Sequence, residues 1–155
     1  MTTVGHSLTG VALGIAAMPP TWGVYKKLAL LSLFVGLANV PDWPLPGWGH
    51  DRYDISHSVF ANAAAMGVAA LVLARADRAR AFLGGKRVLA LGAAAWLSHL
   101  LLDSLYSHGL GVRIFWPVSD AALDLGLPWF HVLPGGFAWD AHTARVVAVE
   151  SAFYG

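Results

Sequence analysis

The sequence predicts an all-α fold: an integral membrane bundle of about four helices, with an irregular outer tail and a short C-terminal helix. Three observations carry that prediction. Only 12% of the residues are charged, against 57% hydrophobic and a mean hydropathy of +0.58. A soluble domain uses about a quarter charged residues to wet its surface, so lipid is the natural solvent for much of this one. Four apolar stretches recur, at 7–18, 28–40, 58–74 and 88–106. Small residues punctuate them: Gly10, Gly14, Gly36, Gly67, Gly92 and the alanines at 93–95. In water, glycine inside a helix costs up to ~1 kcal/mol relative to alanine; in a membrane, small residues let helix backbones approach closely.

Taken in order, the first two stretches are short, about 12 or 13 apolar residues each. They reach across a bilayer only with flanking Thr, Trp and Lys at headgroup depth or with local thinning. The third and fourth approach the ~20 residues that a span needs. A tight link carries Pro19, Pro20, Lys26 and Lys27, and a hydrophilic link over 75–87 carries Arg75, Arg78, Arg80, Lys86 and Arg87. The connection over 41–56 is instead rich in Pro, Gly, Trp and Asp. After residue 107 comes a long tail with Trp116-Pro117, Pro128-Trp129 and Pro134-Gly135-Gly136. Its end, 140–154, has Asp140 at an N-cap position and Val146, Val149 and Phe153 on one side, which predicts a short amphipathic helix along the surface. The 155 residues form a single domain, 1–155, without repeats. A net charge of +1 excludes a nucleic-acid footprint, and the absence of cysteine excludes thiolate metal sites. The first twenty residues lack a basic leader region, so no cleaved signal is expected.

If the four helices alternate in direction, both basic links fall on one side. The positive-inside rule makes that side cytoplasmic. His6 then opens the first helix, Asp42 follows the second, His57 opens the third, and His99 and Asp103 end the fourth. All five fall at the opposite, non-cytoplasmic face, together with Trp43, Trp48, Trp116, Trp129 and Trp139. The expected location is the plasma (inner) membrane with the site facing outward.

His99 and Asp103 are four apart, so they share one helical face. An ionisable residue in so apolar a setting costs about 2.5–3.5 kcal/mol on insertion scales and marks function. A histidine satisfied by a neighbouring Asp explains the pair equally well. Asp42, in Asn39-Val40-Pro41-Asp42-Trp43-Pro44, also reads as a turn residue. His57 also reads as interfacial, with Ser56 or Asp54 as the helix N-cap. Taken together, His6, Asp42, His57, His99 and Asp103 supply the nitrogen and oxygen ligands that suit zinc, and Asp103 is placed to bridge two ions. His108 adds a further ligand or proton donor. Arg52 offers a planar fork for phosphate, or a partner for Asp51 or Asp54.

Five segments carrying these residues resemble a known family. They are Gly5-His6-Ser7, Val40-Pro41-Asp42, Tyr53-Asp54-Ile55-Ser56-His57-Ser58, His99-Leu100-Leu101-Leu102-Asp103 and Phe115-Trp116-Pro117-Val118-Ser119-Asp120. Their order and spacing resemble the predicted membrane-bound, metal-dependent hydrolases of the YdjM type. The order His, Asp, His, His-x-x-x-Asp is also similar, more distantly, to zinc-dependent phospholipases C and zinc nucleases. Their later His-x-x-x-Glu pair is unmatched, because His142 is followed four residues on by Val146. Pro44 stands where many relatives have a second Asp, and Arg52-Tyr53-Asp54 where many have His-Arg-Gly.

The resemblance implies hydrolysis of a phosphoester on a lipid or other membrane-associated substrate. His6, Asp42, His57, His99 and Asp103 hold one or two divalent ions, zinc by expectation, that activate a water. Asp54, Asp51 or His108 assists proton transfer, and Arg52 binds phosphate. A non-enzymatic membrane protein that uses the same cluster for metal transport or bracing is the alternative, and bis-histidine haem ligation a third.

Overall fold

A computed structural model describes residues 2–83, 85–105, 111–127 and 140–154. Among the described residues the regular structure is helical, apart from one isolated antiparallel bridge between Val112 and Leu123 in the otherwise irregular 111–127 segment. The helices are α1 (Thr3–Ala17), α2 (Val24–Ala38), α3 (Tyr53–Ser56), α4 (Val59–Arg75), α5 (Asp77–Leu83), α6 (Lys86–Ser104) and α7 (Ala141–Tyr154). The four apolar stretches therefore became α1, α2, α4 and α6, and the expected terminal helix became α7. Two short segments were not foreseen: α3 inside the Pro/Trp-rich connection, and α5 inside the basic link.

A body of three helices, α1, α2 and α6, holds the core. Ala17, Leu30, Phe34, Val88 and Ala95 are buried at its centre, with Leu13, Met18, Leu37 and Leu91 packed around them. Gly10 shows why small residues are needed there. A Cβ at that position would stand 2.7 Å from the Phe34 carbonyl oxygen of α2, so any side chain would push the two backbones apart. The Trp22 ring meets Phe82 at 5.4 Å between centroids, with Lys26 above it, and this contact brings the two basic links to one end of the body.

Two expectations need correcting. His57 does not open α4; it caps the end of α3, and Ser58 is the N-cap, its hydroxyl accepting from the backbone N–H of Phe60 and Ala61. A side chain two residues before a helix is aimed by the turn, not by the helix face. The second concerns α7. Asp140 does cap it, accepting from Thr143 N at 2.7 Å. Its buried face, however, is Thr143, Val146 and Glu150, while Phe153 is exposed. Instead of lying free on the surface, α7 docks on α1. The Glu150 carboxylate accepts from Thr2 N at 3.0 Å and from the Thr2 hydroxyl, which itself caps α1 at Gly5 N.

α4 stands apart. Asn62 is its only buried residue, while Phe60, Val68, Leu71 and Val72 are exposed. Among the described residues no single helix is long and apolar enough to cross a membrane. α4 and α5 together have the length and composition, but they are bent by 98° at their junction.

Candidate metal centre

The end of the body away from the basic links gathers the predicted residues. His6 comes from the N-terminal part of α1, and Asp42 from a 3-10 turn (Val40–Asp42) after α2. His57 comes from the α3–α4 turn, and His99 and Asp103 from the last turns of α6. His6, His57 and His99 are almost fully buried, and Asp103 nearly so.

Four of the five turn ligand atoms toward one point. Asp42, His57, His99 and Asp103 each offer an oxygen or nitrogen, all within 4.8 Å of one another. His57 Nε2 lies 3.5 Å from Asp42 Oδ1 and 3.2 Å from Asp103 Oδ2. His99 Nε2 lies 3.5 Å from Asp42 Oδ2 and 3.4 Å from Asp103 Oδ2.

The other ring nitrogens decide what this means. His99 Nδ1 is 2.8 Å from the Ala38 carbonyl oxygen, to which only an N–H can donate. His57 Nδ1 donates to Ser56 Oγ at 2.8 Å, whose own hydroxyl is directed to Gly49 O at 3.1 Å. With Nδ1 donating, each imidazole turns Nε2 to the carboxylates, either as a bare lone pair or as the N–H of an imidazolium, and the distances separate the two. His99 Nε2 is buried and has no hydrogen-bond partner. Lone pairs facing anions need a cation between them. Donors around a tetrahedral ion at about 2.0–2.2 Å stand roughly 3.3–3.6 Å from each other; three of the four distances fall in that range and the fourth, 3.2 Å, lies just below it. Charge-assisted hydrogen bonds would draw the same atoms to about 2.7–2.9 Å. The residues fit a divalent metal ion, and the Ala38 carbonyl and Ser56 hydroxyl that anchor the two imidazoles are the outer support such ligands commonly have.

His6 sits beside this group. Its Nε2 is 3.1 Å from Asp103 Oδ1, the carboxylate oxygen turned away from His57 and His99. Its ring stacks flat on His99, 3.6 Å between centroids and 10° between planes. Haem ligation does not fit, because carboxylate oxygens occupy the space around both Nε2 atoms where a macrocycle would lie.

The loops are held as firmly as the helices. Asn62 donates to the carbonyls of Ser56 and Ser58 at 2.7 and 2.8 Å and accepts from Trp96 Nε1 at 2.7 Å, which fixes the His57 turn against α6. The Ser58 hydroxyl also bonds the Trp116 carbonyl oxygen, and Val59 N bonds Ile114 O at 2.8 Å, so the 111–127 segment closes over this turn. On the Asp42 side, Trp48 Nε1 donates to Val40 O at 2.8 Å. Gly49, at φ +59°, lies where a Cβ would meet the Trp43 carbonyl oxygen at 2.3 Å. Tyr53 is pushed up by burial and by the charges of Asp103 and Asp42, so its hydroxyl stays a donor.

The predicted auxiliary residues lie further out. Arg52 is exposed at the end of a 3-10 turn. Asp54 pairs with Arg113 at 3.5 Å, both about half exposed. Asp51 accepts from Gly47 N at 2.8 Å and so serves its turn. His108, Trp129, His131 and Trp139 lie outside the described residues. Sequence reasoning passed over Tyr53, Asn62 and Glu150. Asn62 had a signal, an amide inside an otherwise apolar run; Tyr53 had a weaker one, its place four residues before His57.

A family model described as YdjM inner membrane protein matches residues 1–153. No curated protein and no solved structure matches the chain.

Proposed function

This chain belongs to the YdjM inner membrane protein family, and from that membership and the donor cluster we propose that it is a membrane-bound, metal-dependent hydrolase of a lipid or lipid-linked phosphoester. The observation that carries the proposal is the pair of anchored imidazoles whose bare Nε2 atoms face Asp42 and Asp103 at 3.2 to 3.5 Å. Asp42, His57, His99 and Asp103 would hold the ion, zinc by donor type. His6 supports it through the outer oxygen of Asp103. When bound, such an ion lowers the pKa of water and polarises a phosphoryl oxygen.

The chain's own groups supply the rest. The Asp42 side chain is 19% exposed, against 0% for His57 and His99 and 6% for Asp103, so Asp42 forms the open side of the centre. Exposed Trp43 and Leu45 stand next to that opening in the chain and suit an acyl tail. On this reading exposed Arg52 would hold a phosphate, and Asp54, paired with Arg113, would relay a proton. The exposed apolar faces of α4 and of the body suit lipid, and the shared basic end suits the cytoplasmic leaflet; on that reading the centre would face outward.

One observation favours a second reading. Four protein donors already satisfy a tetrahedral ion, as in closed structural sites, which suits a metal that braces the bundle. Elemental analysis of detergent-purified protein, together with turnover of lipid and soluble phosphodiesters before and after chelation, separates the two. Bound zinc with chelator-sensitive cleavage of a lipid phosphoester supports the hydrolase. Bound zinc with no cleavage of either class leaves the brace, and protein free of metal overturns both.

A further inference from the structure

We infer that Tyr53 is a positioning residue of the metal centre, holding His57 by its ring and Asp103 by its hydroxyl; the inference rests on the metal reading above. Tyr53 opens α3, one turn before His57. Its ring lies on the His57 imidazole, 3.7 Å between centroids and 22° between planes. Its carbonyl oxygen accepts from His57 N at 3.0 Å and stands 3.2 Å from His57 Nδ1. Its hydroxyl reaches across to α6 and donates to Asp103 Oδ2 at 3.4 Å. That is the same oxygen that faces His57 Nε2 and His99 Nε2.

A carboxylate oxygen has two lone pairs. With one of them on the Tyr53 hydroxyl, Oδ2 keeps one for the ion. Asp103 thus turns Oδ1 to His6 and Oδ2 to the centre. The stacked ring meanwhile fixes the plane in which His57 presents Nε2. Tyr53 therefore sets both the direction of Asp103 Oδ2 and the aim of His57. The backbone contacts come with any residue at this position; the stack needs an aromatic ring, and the bond to Asp103 needs the hydroxyl.

The test is cobalt binding to the full-length protein in detergent, by competition with a chelator and by visible absorption. Tyr53→Phe keeps the ring and the fold but deletes the donor. Cobalt affinity should fall by about 10- to 100-fold, the usual loss for an outer partner. The cobalt bands should also shift, as Asp103 Oδ2 loses the donor that fixes its direction toward the ion. The metal-free melting temperature should stay within a degree or two of the unaltered protein, which separates positioning from packing. Tyr53→Leu, lacking ring and hydroxyl, should bind more weakly still. Unchanged affinity and spectrum in both variants, while the unaltered protein binds cobalt, overturns the role of Tyr53. Failure of the unaltered protein to bind cobalt overturns the metal centre itself, and the inference with it.

Discussion

Asp103→Asn separates a metal centre from a buried ion-pair cluster, because the two assign opposite signs to its effect on the metal-free protein. The substitution keeps the side-chain shape and removes one negative charge. Asp103 Oδ2 stands 3.2 and 3.4 Å from the Nε2 atoms of His57 and His99, and Oδ1 stands 3.1 Å from His6. If those Nε2 atoms are bare, an asparagine N–H can donate to one of them, replacing a repulsion by a bond of about 1 kcal/mol. The metal-free variant should then melt no lower than the unaltered protein. Its metal affinity should collapse: a unit charge pair about 4 Å apart is worth about 4 kcal/mol at an effective dielectric near 20. At about 1.4 kcal/mol per decade, that alone is a loss of about a thousandfold, and the double charge of a divalent ion makes it larger. Metal analysis after dialysis against buffered zinc, with thermal unfolding in chelator, reads both quantities. If the histidines are instead protonated and paired with Asp103, breaking that buried pair should cost about 3–5 kcal/mol without metal. A large drop in the metal-free melting temperature, or undiminished zinc content, would therefore refute the metal assignment.

Other outcomes follow from the same geometry. Asn62→Ala strips the partners of Trp96 Nε1 and Ser56 O, at about 1–3 kcal/mol for each group left buried and unpaired. It should lower the melting temperature measurably and weaken zinc binding by loosening the His57 turn; an unchanged melting curve would show that the turn is held elsewhere. Glu150→Ala removes the acceptor for Thr2 and should release α7 from α1, seen as faster amide exchange over 141–154. Unaltered protection there would mean that Val146 and Thr143 suffice. Arg52→Ala should reduce turnover of a phosphoester substrate several-fold with zinc content intact, since an exposed arginine is no ligand, and equal turnover removes its phosphate role. Single cysteines in this cysteine-free chain report the topology through an impermeant reagent. Labelling from outside is expected over 45–50 and not over 78–83, and the reverse pattern inverts the orientation.

Much of this was legible in the sequence because it depends on local pattern. Residues 7–18 and 88–106 are apolar for longer than a loop tolerates, so α1 and α6 were visible, and Asp140 before a periodic run announced α7. His99 and Asp103 were legible as a pair because a spacing of four on a helix is already a distance. His6, Asp42 and His57 were legible only as residues out of place in apolar or turn settings; no spacing places three loop and helix ends around one point. The tertiary structure decided the rest. It put four potential ligand atoms within 4.8 Å of one another and set His6 on the far oxygen of Asp103. It also gave the buried face of α7 to Glu150 instead of Val149 and Phe153, because a carboxylate that finds two donors at Thr2 can be buried while an apolar ring on the other side stays exposed. Tyr53 lies 50 residues from the Asp103 oxygen it touches, and such a contact exists only once α3 has folded against α6. Side-chain chemistry along one helix is set by neighbours in the chain, but which lone pair faces which carboxylate is set by how separate elements pack.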